Sequence, residues 1–65
     1  MIYGNIAEMA DEIGELIYPE SKVEAHDLAW DIKCDIPLEA EQFAAVAATD
    51  PGRRLIAIGA LATAP

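Results

Sequence analysis

Residues 6–33 read IAEMADEIGELIYPESKVEAHDLAWDIK, and this stretch decides the fold. Its first half places Ile6, Met9, Ala10, Ile13, Leu16 and Ile17 at the three-and-four spacing of one helical face. That spacing predicts a helix from about Ile6 to Tyr18, with Asn5 as N-cap and Pro19 as its stop. The second half predicts a helix over Lys22–Lys33 with the inward stripe Ala25, Leu28, Ala29 and Ile32. Ser21 followed by Glu24 fits a capping box, in which the hydroxyl accepts from the third helical N–H.

Downstream, Pro37 suits a first helical position because its missing N–H would have no intrahelical partner. A third helix is predicted from Pro37 through Phe43 and Val46 to about Ala48. Asp50-Pro51 then reads as cap and first position of a fourth helix, Gly52 to about Ala62. Within it Leu55-Ile56-Ala57-Ile58 also fits a short buried strand; helix is the reading adopted. With no repeat, low-complexity tract or linker, residues 1–65 are expected to form one compact all-α domain.

A chain of 65 residues hides only about 60% of its unfolded surface on folding, so its core must be used well. The single Cys34 excludes an internal disulfide framework, and one Cys with one His is too few for structural zinc. The start has no basic region followed by an apolar stretch. The longest uncharged run, Leu55 to Pro65, is 11 residues, short of the roughly 20 that span a bilayer. The expected location is the cytoplasm, where an unpaired thiol stays reduced.

Twelve acids against four Lys and Arg give a net charge of −8. That balance argues against direct binding to nucleic acid or an anionic membrane and favours a basic protein partner. Residues 1–35 hold nine of the acids and two lysines; the remainder is nearly neutral. On the first helix Glu8, Asp11, Glu12 and Glu15 lie opposite the apolar face. Glu20, Glu24, Asp27, Asp31 and Asp35 advance by three or four residues as a second stripe. Like charges at these spacings, such as Glu8/Glu12 and Asp27/Asp31, repel by about 0.2–0.5 kcal/mol per pair. An acid run is most often a solvated face that keeps a small protein dissolved. Two single-signed faces in one half of the chain, partly against the helix dipoles, weigh toward a function for the charge.

At about 1.5 Å rise per residue, the second-stripe acids recur every ~4.5–6 Å, against one phosphate per ~3.4 Å of a DNA strand. One stripe is sparser than a strand; two adjoining acidic helices would approach duplex density. The second helix also carries Val23, Trp30 and Cys34 nearly opposite its inward stripe, with Lys22, His26 and Lys33 along one edge. In so small a domain Trp30 is expected to be buried beneath the C-terminal segment, and Cys34 to be a small buried apolar residue. The alternative is an exposed Trp30 that anchors a partner.

Catalytic chemistry is not indicated. His26 has no motif linking it to Ser21 or Cys34, and Ser21 is explained as a cap. The stretch from Asp31 fails as a calcium loop, with Lys33 third, Ile36 where the glycine belongs and Gln42 in place of the closing Glu. Gly52-Arg53-Arg54 is no phosphate loop, and its arginines are expected to pair with the acidic half. No metal or cofactor is expected. Acyl carriers are also small, acidic and four-helical, but Glu20-Ser21-Lys22 stands where that family has Asp-Ser-Leu.

Taken whole, the size, the acidity and the helical acid faces, including Glu24, Asp27 and Asp31, resemble the small acidic anti-CRISPR proteins of phages and other mobile elements. Several of those occupy DNA-binding surfaces of CRISPR effectors. The resemblance implies a monomeric, non-enzymatic inhibitor that acts as a DNA mimic on a type I (Cascade) effector, type I-C being the subtype suggested. From the two acid faces and the outer side of the second helix, Glu20, Glu24, Asp27, Asp31, Asp35, Glu8, Asp11, Glu12, Glu15 and Trp30 are the residues expected to meet the partner. The rival readings are an acyl-carrier-like protein and an antitoxin that neutralises a basic toxin.

Overall fold

The computed structural model describes the backbone of residues 2–63 and the side chains of residues 6–63. Among the described residues four helices follow in order: α1 (Ile2–Ile17), α2 (Lys22–Lys33), α3 (Ala40–Ala47) and α4 (Asp50–Ala57). The fold is all-α. None of these helices is long and apolar enough to cross a membrane. α1 is the hub, with α2 packed along it and α3 and α4 closing the other side. Ile13, Leu28, Leu38, Val46 and Leu55 form the fully buried centre, with Ala10, Ala29 and Ile32 beside them.

The α1–α2 hairpin is tight because its facing residues are small. Gly14 lies so near α2 that a Cβ there would overlap the Ala25 carbonyl. Ala10 and Ala29 continue the same close seam. The turn closes with the Ser21 N–H on the Tyr18 carbonyl at 3.3 Å. Ser21 then caps α2, its Oγ accepting from the Glu24 N–H at 3.2 Å. α1 begins at Ile2, a turn before the expected start, so Asn5 lies inside the helix and not at its cap.

The second half departs further from expectation. Pro37 does not start α3; the helix begins at Ala40 with Glu39 as N-cap, and Gln42 Oε1 accepts from the Glu39 N–H at 3.2 Å. The reason is Leu38, which is buried and gives its N–H to the Ala62 carbonyl at 2.9 Å. Residues 36–39 are thereby held alongside the C-terminal segment, with a parallel bridge from Leu38 to Thr63. The cap of α4 is Thr49 and not Asp50. Thr49 Oγ1 donates to the Val46 carbonyl at 2.7 Å and accepts from the Gly52 N–H at 3.0 Å. α4 stops at Ala57 and not Ala62, and Leu55–Ile58 forms no strand.

α2 and α4 end in the same way. Asp35 (φ 57°) and Gly59 (φ 72°) are left-handed, and Ile36 and Ala60 donate back to the Asp31 and Leu55 carbonyls at 2.9 and 2.8 Å. These are Schellman ends, which satisfy the last helical carbonyls and turn the chain out of the helix.

Candidate partner-binding face

Glu8, Asp11, Glu12 and Glu15 are all exposed on α1, as their spacing requires. They are not equivalent. Asp11 Oδ1 accepts from the Lys33 ammonium of α2 at 2.7 Å. Beside this pair a shallow hollow is lined by Asp11, Glu15, Lys22, Ala25, His26 and Ala29. The cationic edge of α2 therefore faces the acids of α1.

On α2 the five-acid stripe shortens to three. Glu20 sits in the turn before the N-cap, and Asp35 has left the helix at its left-handed end. Glu24, Asp27 and Asp31 remain on the helix, the first two exposed and Asp31 half-buried. Among the described residues none of these five acids forms a salt bridge. At 100° per residue, Asp27 points outward while Glu24 and Asp31 lie on the flank away from Lys22, His26 and Lys33. The two acid faces consequently do not merge. The cationic edge lies between them, and the pair does not build the continuous acid surface of a duplex.

Trp30 is not buried. It is 56% exposed, Val23 is 71% exposed, and Cys34 is exposed too. The C-terminal segment that was expected to cover them runs instead beside residues 36–39, drawn there by the bond from Leu38 to Ala62. α2 thus packs on one side only, through Ala25, Leu28, Ala29 and Ile32. Its outer face presents Val23, Asp27, Trp30 and Cys34 to solvent.

The arginines also fall elsewhere than expected. Arg53 pairs with Asp50 of its own helix, and Arg54 makes no salt bridge among the described residues. Neither reaches the acidic half, because both project from the exposed side of α4. His26 is exposed, as expected of a surface residue near Lys22. Among the described residues no three His, Cys, Asp or Glu side chains are grouped to hold a metal ion.

Of the two sequence readings of Trp30, burial is overturned and exposure, the alternative, is what the structure has. Val23, Trp30 and Cys34 recur at i, i+7 and i+11 on the side opposite a complete core stripe. No family model, curated protein or solved structure matches the chain.

Proposed function

We propose that this chain is a non-enzymatic acidic binding protein that occupies a basic, nucleic-acid-binding surface of a target protein in the cytoplasm, as anti-CRISPR DNA mimics do. The observation that supports it is the set of unmatched acids on α2. Glu24, Asp27 and Asp31 have no ion-pair partner among the described residues, and of the α1 acids Asp11 alone is matched there, by Lys33. Placing Asp27 and Asp31 one turn apart costs a few tenths of a kcal/mol in the free protein, and an opposing lysine or arginine would reverse that sign. Complementary charge of this kind speeds encounter and excludes wrong partners, while a few central contacts hold the complex.

The test is co-expression with type I CRISPR systems, I-C among them, scored by restored plating of a targeted phage. A hit is followed by competition between this protein and target DNA for the purified effector. Protection, with DNA and protein binding mutually exclusive and weakened by salt, is the expected result. Asp27→Lys with Asp31→Lys abolishes protection while the helical spectrum is kept. Undiminished protection by that variant, or a ternary complex with DNA, would falsify the mimicry reading. Failure to inhibit any type I system, with rescue of a cell from a basic toxin instead, assigns the protein as an antitoxin.

A further inference from the structure

We infer that the outer face of α2 is a docking surface for a basic amphipathic helix of the partner, centred on Trp30. This rests on the binding-protein reading above and names the structural element that α2 meets. Val23, Asp27, Trp30 and Cys34 follow one another at four, three and four residues, the spacing of a helix–helix seam. Val23 to Cys34 covers about 16 Å of axis, or three turns, which one short helix matches end to end. Trp30 at the middle supplies the large apolar area that recurs at interface hot spots.

Charge selects the occupant. On one flank stand Glu24 and Asp31, and Asp27 lies in the seam itself, all without ion-pair partners among the described residues. On the other flank Lys33 is engaged by Asp11 of α1, and Lys22 and His26 border the hollow shared with Asp11 and Glu15. The field over the seam is therefore acidic, and an apolar stripe edged by lysine or arginine complements it. A second copy does not. Antiparallel pairing across a two-fold axis brings each acid flank against its equivalent. Parallel pairing brings the acid flank to the cationic edge but places Asp27 against Asp27 in the seam.

The experiment uses the full chain and a synthetic 18-residue Leu/Lys peptide with one apolar helical face. A control peptide has the same composition scrambled so that no such face exists. Trp30 is the single tryptophan, so its emission reports directly on the seam. The helical peptide is expected to shift that emission to shorter wavelength with one-to-one saturation, and the scrambled peptide to bind at least about tenfold more weakly. By calorimetry, Trp30→Ala weakens binding at least about tenfold, and Asp27→Lys with Asp31→Lys does so comparably. Val23→Ser, an independent exposed position in the seam, weakens it severalfold. Glu41→Lys, at an exposed position on α3, changes affinity less than about twofold, as remote charges do in salt.

Equal binding of both peptides with no effect of Trp30→Ala overturns the inference and leaves charge alone as the determinant, with the mimicry reading intact. Absence of binding by the helical peptide overturns it as well. So does a dimer, seen by sedimentation, that Trp30→Ala dissociates. Conversely, failure to compete with DNA for an effector removes the mimicry reading without touching the seam.

Discussion

The two halves of this molecule hold their shape by different means. Residues 2–35 form a long hairpin whose seam is built from Ala10, Gly14, Ala25 and Ala29, small side chains that let two backbones meet. Residues 36–63 form two eight-residue helices, too short to persist alone, held by caps, a left-handed exit and one extended pairing. Side-chain periodicity specifies the first half and backbone hydrogen-bonding specifies the second. The candidate face lies on the first half, since Glu24, Asp27, Asp31 and Trp30 all sit on α2.

The largest test of this division is a methyl group. Alanine normally improves a helix over glycine by up to about 1 kcal/mol. At Gly14 its Cβ would overlap the Ala25 carbonyl, and at Gly52 the Val46 carbonyl with Thr49 Oγ1 close by. Those neighbours are largely backbone and yield only by moving a helix, so overpacking at about 1–3 kcal/mol outweighs the propensity gain. Both Gly14→Ala and Gly52→Ala should lower the melting temperature by roughly 5–20 °C, with Gly52→Ala the worse because it also disturbs a cap. A neutral or stabilising Gly14→Ala would show that the hairpin seam is looser than its geometry.

The caps come next. Thr49→Ala removes a bond to the Val46 carbonyl and one from the Gly52 N–H in a half-buried setting. A loss of about 1–2 kcal/mol is expected in chemical unfolding. Ser21→Ala removes one 3.2 Å bond in an exposed turn, and the α1–α2 seam still holds the helix, so about 0.5–1 kcal/mol is expected. If Ser21→Ala proves the costlier, caps matter as much in the hairpin as in the second half.

This division also explains what the sequence made legible. The bounds of α2 follow from Ser21, Glu24 and the stripe ending at Ile32, all local signals. The start of α3 does not, because Pro37 is a good helix starter by itself and is overruled by Leu38, whose partner Ala62 is 24 residues away. The end of α4 was marked by Gly59, a typical left-handed exit, but the alanines beyond it favoured a longer helix. At the candidate face, outward position was readable from spacing for every acid on the helices except Asp31, which is half-buried on the flank. The pairing of Lys33 with Asp11 was not, since it depends on which edge of α2 turns toward α1. Trp30 was misplaced for the same reason: where the C-terminal segment lies is a long-range question.

The two Schellman ends give a smaller, signed comparison. A Cβ at Gly59 would meet no atom within 4 Å, so Gly59→Ala tests backbone conformation alone. It should cost about 1 kcal/mol, the penalty for a left-handed L-residue. Asp35 carries that strain at φ 57° and sets a negative charge at a helix C-terminus. Asp35→Gly should therefore stabilise the fold by about 0.5–1 kcal/mol, less the extra chain entropy of glycine in the unfolded state.

The smallest effects separate the two acid faces. Lys33 and Asp11 lie 2.7 Å apart with side chains 30% and 60% exposed, so solvent and salt screen the pair. Lys33→Met keeps the aliphatic stem, removes the attraction and makes a protein of charge −8 more acidic. A loss of about 0.5 kcal/mol or less is expected, shrinking as salt is raised. Asp27→Asn has the opposite sign, because Asp27 has no ion-pair partner among the described residues and sits one turn from Asp31. Relief of that repulsion should raise stability by about 0.2–0.5 kcal/mol at low salt, and moderate salt should stabilise the parent chain for the same reason. Urea unfolding at two ionic strengths resolves both signs within one series. Were Asp27→Asn to destabilise like Lys33→Met, α2's acids would be held within the fold, and their availability to a basic partner would have to be abandoned.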